Sequence, residues 1–158
     1  DTPKIQKHAV RYVYLTTVFF LILTGFGQMP IFKRYYIADI PGLGWLAQFY
    51  VTHYIHYLGA ILLLVLVAYM IIDYLLLQRK SIRLTTPGYI RGAILTGILL
   101  SGLFLVLRNL EGSRFAPGFI IFLDLAHLGL VMMFLIAAGY CLARKKRWTA
   151  YRHVGAGR

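Results

Sequence analysis

Two histidines stand inside stretches that are otherwise apolar and of membrane-spanning length: His56 in THYIHYLGAILLLVLVAYMII and His127 in FIIFLDLAHLGLVMMFLIAAG. An imidazole in hydrocarbon is costly unless something binds it, so such a residue reads first as functional. Neutral imidazole is the commonest side-chain metal ligand, and a helix pair offering one from each side can hold a planar iron cofactor between them. The competing reading is interhelical hydrogen bonding with no ligand. Of the other histidines, His8 and His153 read first as interfacial caps at helix ends, with cofactor binding the alternative role for His8. His53 is placed to replace His56 as ligand, to bond a haem propionate, or to bind water at the interface.

The elements that must position these side chains follow from composition. Of 158 residues, 59% are hydrophobic and 14% are charged, against roughly 25% charged in a soluble domain. The chain is expected to be an integral membrane protein. A formal charge of +12 raises the question of nucleic acid, but the basic residues flank apolar runs instead of lining one polar surface, so no nucleic-acid partner is expected. One cysteine, Cys141, allows no internal disulfide, and no C-x-x-C-H occurs, so any haem is of the non-covalent b type. The chain opens at Asp1 and not at Met, as expected of a trimmed or processed stretch.

A window of about 20 residues, the length that crosses a hydrocarbon core of about 30 Å, draws four spans: Lys7 to Gln28, Val51 to Leu77, Tyr89 to Leu107 and Pro117 to Ala143. The expected fold is a single all-α, integral membrane four-helix bundle over residues 1–158. Lys4, Lys7, Arg11, Arg79, Lys80, Arg83, Arg91, Arg144, Lys145, Lys146, Arg147, Arg152 and Arg158 fall on one side, leaving only Lys33, Arg34, Arg108 and Arg114 of the 17 basic residues on the other. The positive-inside rule then makes both termini cytoplasmic and gives the Pro30 to Tyr50 loop to the outside, where a partner would dock. Counted back from Gln78 and Arg144, His56 and His127 lie roughly 33 and 25 Å along straight helices, both toward the outer leaflet. His53, roughly 37 Å out, matches His127 less well. Gly59, on the same face as His56, is expected to make room for a flat macrocycle.

Two carboxylates and a run of small residues complete the inventory. Asp124 stands one turn before His127, where it could accept a hydrogen bond from a ligand, carry protons for a quinone, or pair with Arg108 or Arg114. Asp73, near the cytoplasmic end, reads as snorkelling or paired, with an inner-side proton role the alternative. Gly92, Ala93, Gly97, Ser101 and Gly102 predict close helix packing. The tail ARKKRWTAYR reads as a basic anchor favouring anionic lipid.

The chain resembles the cytochrome b subunit of membrane-bound formate dehydrogenases and nickel-iron hydrogenases, a four-helix quinone-reactive membrane anchor. The resemblance covers nearly the whole chain. It rests on LTG (Leu23, Thr24, Gly25) closing the first helix, a Trp-containing outer loop leading to HYLGA (His56 to Ala60), SGLFLVLR (Ser101 to Arg108) in the third helix and AHLG (Ala126 to Gly129) in the fourth. It implies that His56 and His127 hold a haem near the outer face. It also implies an iron–sulfur or multihaem subunit and a catalytic subunit docked outside, a quinone as electron acceptor, and the cytoplasmic membrane of a bacterium or archaeon. Members with two haems carry a further histidine where this chain has Cys141, and their first-helix histidine falls on Arg11, with His8 one turn away. The departure implies one haem where two are possible, with quinone reduced on the outer side or electrons passed to another subunit. A haem-free anchor subunit is the alternative, and a small transporter using Asp73, Asp124 and the histidines is the third class; no inverted repeat or broken-helix pair speaks for that last one.

Overall fold

The computed structural model describes residues 4–29, 39–112 and 114–151, with side chains described from His8 onward. His153 and residues 30–38 of the Pro30 to Tyr50 loop lie outside the described residues. Among the described residues, four helices are long and apolar enough to cross a membrane: α1 (Lys4–Gly27), α2 (Phe49–Asp73), α3 (Thr86–Leu107) and α4 (Pro117–Ala143). The class is all-α, as composition requires, and the expected span limits agree to within a turn. α2 runs on through a π-helical turn, Tyr74–Gln78, and a short 3-10 turn, Gly44–Ala47, precedes it. Lipid-facing positions account for the many exposed apolar side chains, among them Leu64, Val65, Ile121 and Ile136, each more than half exposed.

The chain divides into two compact units, Asp1–Leu77 and Gln78–Arg158. Each is an antiparallel helical hairpin. In the first, α1 and α2 meet along a seam of Thr52, His56, Gly59, Leu63 and Leu66, spaced alternately by four and three residues as helix–helix seams are. Gly27 sits opposite Thr52, Gly25 opposite His56 and Leu21 opposite Gly59. The expectation for Gly59 is corrected here. The space a Cβ would take lies 3.1 Å from Leu21 Cδ2, so the glycine brings α2 close to α1 and opens no room for a macrocycle.

The second hairpin uses the same spacing on α4: Leu123, His127, Leu130 and Phe134. Gly97 of α3 faces Leu130 and Gly102 faces His127, as the small-residue run predicts, whereas Gly92 has open space beside it. α3 begins at a capped end: Thr85 Oγ1 accepts from Gly88 N at 3.1 Å, and proline occupies the first turn. α4 ends in a left-handed residue, Lys145 at φ 52°, with Lys146 N–H reaching back to the Cys141 carbonyl at 2.8 Å and Lys145 N–H to Leu142 at 3.1 Å. That pair of bonds reverses the chain.

The reversal sends the tail back onto the hairpin. Thr149–Tyr151 forms a strand, β2, antiparallel to Ile82–Leu84, β1, with Arg83 opposite Ala150. Thr85 ties the clasp down, its N–H donating to the Trp148 carbonyl at 3.0 Å and its hydroxyl to the Arg147 carbonyl at 2.7 Å. The basic tail read from sequence as a surface anchor is therefore folded as far as Tyr151.

Candidate functional site

His56 lies on the α1-facing seam of α2, about two turns from the loop end of its hairpin. Its Nδ1 is 3.0 Å from Thr24 Oγ1, and Thr24 is fully buried. The hydroxyl proton is already committed, because Thr24 Oγ1 donates to the Phe20 carbonyl of its own helix at 2.7 Å. While that bond holds, the hydroxyl accepts from His56 and the ring is the Nδ1–H tautomer, with its lone pair on Nε2.

The second hairpin repeats the device. His127 Nδ1 is 2.9 Å from Ser101 Oγ, and Ser101 Oγ donates to the Ile98 carbonyl at 3.0 Å. The same count puts the proton on Nδ1 and the lone pair on Nε2. A glycine follows each hydroxyl, and each imidazole lies over it: a Cβ on Gly25 or on Gly102 would stand 3.3 Å from Cε1 of its histidine. Thr17 and Thr52 are also buried, yet among the described residues their hydroxyls bond back to their own helices alone. Among the serine and threonine hydroxyls of the described residues, those of Thr24 and Ser101 bond to a histidine across a hairpin.

His53 sits one turn nearer the loop. Its Nδ1–H donates to Gln28 Oε1 at 3.0 Å, since an amide oxygen accepts only. Its ring stacks on Phe49 at 5.2 Å and leans on Tyr57 at 4.3 Å. It also lines an open groove of about 600 Å³ with Tyr50, Val51, Tyr54, Ile55 and Tyr57. His8 is exposed on the first turns of α1, as is Arg11. Cys141 is a free thiol buried on α4.

Asp124 takes the structural one of its expected roles. Arg108 Nη1 donates to both carboxylate oxygens, at 3.0 and 2.9 Å, while His127 bonds to Ser101. The group orienting His127 is thus a hydroxyl on the facing helix, one that sequence reasoning passed over. The available signal was the recurrence of Leu-Thr-Gly (Leu23 to Gly25) as Leu-Ser-Gly (Leu100 to Gly102), each in the first helix of a hairpin whose second helix carries the histidine.

Among the described residues no three of His, Cys, Asp and Glu gather to form a metal cage. An imidazole in the Nδ1–H tautomer carries its ligating lone pair on Nε2. Fold and site define a four-span helical membrane protein with one hydroxyl-anchored imidazole in each hairpin. Compared with protein-family models, with curated proteins and with solved structures, the chain gives no match.

Proposed function

We propose that the chain is a haem b-containing membrane subunit of a respiratory redox complex, carrying electrons between a partner outside the membrane and the quinone pool. The observation that supports this reading is the paired proton count: in both hairpins a hydroxyl whose proton is given to its own helix accepts from Nδ1–H, so both rings present Nε2 as the ligating nitrogen. Such hydrogen bonding from the far ring nitrogen is the usual support for a metal-bound histidine. Four consecutive crossings return both hairpin loops to one side of a membrane, and both histidines lie in the loop-proximal part of their hairpins. The basic residues speak for that side being the outer one.

A bound haem supplies a one-electron iron centre. The work left to the chain is binding and orientation. Thr24 and Ser101 fix the rings, and Gly25 and Gly102 let the rings lie close to the opposite helix. Cys141, where a second inner ligand would stand by resemblance, is a buried thiol in the α4 seam, and one haem per chain follows.

A reduced-minus-oxidised absorption spectrum of the purified chain, with the pyridine haemochrome assay for stoichiometry, tests the reading. A b-type band at one haem per chain, lost in both His56→Ala and His127→Ala, is expected. Absence of the band from the wild-type protein ends the proposal, and two haems per chain end the single-haem part of it. The same hydrogen bonds favour one other reading, a haem-free anchor in which His56 and His127 only tie helix to helix. In that case the spectrum is blank and both alanine variants lose stability alone.

A further inference from the structure

Arg91 is the one charged side chain among the buried residues described, 6% exposed. It stands five residues into α3, roughly 8 Å along the helix at 1.5 Å per residue, a depth at which arginine side chains turn toward the headgroup layer. It does so here: Nε donates back to the Pro87 carbonyl, one turn nearer the helix start, at 3.1 Å. The Trp148 ring covers the guanidinium, its centroid 4.3 Å from Cζ, and the β1–β2 clasp holds Trp148 there through Thr85. The geometry leaves one donor unmatched, because Nη2 is shut off from solvent and has no acceptor among the described residues.

No carboxylate of this hairpin is placed to neutralise Arg91. Of the five acidic residues of the chain, only Glu111 and Asp124 belong to 78–158. Both are at the loop end, far along α3 from Arg91, and Asp124 is held by Arg108. The end that carries Arg91 is ringed instead by exposed Arg83, Arg144, Lys145, Lys146 and Arg147. A fixed planar cation with an unused N–H, inside a rim of positive charge and at headgroup depth, calls for an acceptor with negative charge that the membrane itself can supply. Guanidinium suits a phosphate in just this way, while the cationic rim disfavours the choline of a zwitterionic lipid.

We propose that the Arg91–Trp148 clasp is a binding site for the phosphate of an anionic phospholipid. A phosphate oxygen that reaches Nη2 must displace the edge of the clasp, so occupancy is read at Trp148. Trp45→Phe leaves Trp148 as the sole tryptophan of the full chain. In that background, phosphatidylglycerol titrated into phosphatidylcholine nanodiscs is expected to shift Trp148 emission saturably. Native mass spectrometry is expected to retain phosphatidylglycerol over phosphatidylcholine by roughly tenfold, the ratio that about 1.4 kcal/mol of repulsion between the choline and the cationic rim supplies.

Arg91→Gln is expected to lose both signals. Arg91→Lys, which keeps the charge without the planar fork, is expected to lose most of the preference and serves if the glutamine variant does not fold. Lys145→Gln with Lys146→Gln is expected to keep the Trp148 shift and to narrow the preference over phosphatidylcholine, since two charges that repel choline are gone. The proposal is overturned by an unaltered preference in Arg91→Gln or Arg91→Lys, by equal retention of phosphatidylcholine, or by loss in the tail variant with Arg91→Gln unaffected. An equal emission shift from inorganic phosphate would reassign the site to a soluble anion and overturn the lipid assignment.

Discussion

A hydroxyl in a membrane helix usually bonds back to its own carbonyls and says nothing about function. Thr24 and Ser101 do bond back, and that is what gives them a second role, since a hydroxyl with its proton engaged can only accept from the imidazole across the hairpin. An acceptor on Nδ1–H makes a histidine a stronger electron donor through Nε2, and a stronger donor favours ferric iron. Under the proposed function, Thr24→Val and Ser101→Ala are therefore expected to keep the haem but raise its midpoint potential. The scale is set by about 59 mV for each tenfold loss of preference for the oxidised state. Redox titration of each variant checks the direction, and an unchanged potential with haem in place would remove the hydroxyls from the argument. Each change is also expected to cost about 1 kcal/mol of stability, because it leaves a partly buried N–H without its acceptor. The histidines were legible in sequence because their type clashes with the hydrocarbon around them. The hydroxyls were not, because threonine and serine are ordinary in such helices and only the register of the facing helix reveals the second bond. Asp124 was ambiguous for the opposite reason, its neighbours in sequence offering both a histidine and arginines, and the geometry selects Arg108. With the carboxylate half-exposed, Asp124→Asn is expected to leave the haem spectrum unchanged and to cost less than about 1 kcal/mol in thermal unfolding.

At the scale of elements, the spans were readable because apolar runs of the required length end in basic or turn-forming residues. The Thr85 cap and the proline of the first turn start α3 three residues before the expected limit, since hydropathy fades before the helix does. The clasp was hidden. Its strands are three residues each, SIRL and WTAY contain no alternation long enough to register, and a run such as ARKKR reads as solvated tail. Nor does a glycine mark the reversal after α4, because Lys145 occupies the left-handed position itself. A side chain there is strained relative to glycine by about 1 kcal/mol. Lys145→Gly is thus expected to raise the thermal midpoint of the folded protein while preserving the clasp. Gly88→Ala should act in the other direction, since a Cβ at that position would run into the Trp148 carbonyl oxygen and the helix backbone cannot yield as a flexible side chain would. The expected readout is a red shift of Trp148 emission as its ring leaves Arg91, measured in a Trp45→Phe background. Emission unchanged from the parent would mean that the clasp tolerates the methyl group and is looser than its hydrogen bonds suggest.

For the molecule as a whole, the two hairpins share a plan: a first helix ending in Leu-(Thr/Ser)-Gly, a loop, and a second helix whose seam carries a histidine against that hydroxyl. The recurrence is direct and not inverted, which distinguishes it from the inverted repeats of transporters and suits the proposed pair of equivalent ligands. Under the proposed function the membrane face on which the loops lie sets the direction of electron flow, and that face can be tested apart from any cofactor. Thirteen of the 17 basic residues lie on the side of the termini and the Gln78–Thr85 connection, and each would have to cross the bilayer against the potential if the orientation were reversed. Cys141 is the only thiol, so a Cys141→Ala background reports on introduced cysteines alone. In intact cells, Glu111→Cys in the α3–α4 loop is expected to react with a membrane-impermeant maleimide. Ser81→Cys and Arg144→Cys, both exposed positions, are expected to react only after the cells are opened. The reverse pattern would put His56 and His127 in the cytoplasmic half of the membrane. It would also move the redox partner to the inside and overturn the proposed route of electrons while leaving the tautomer argument at each histidine intact.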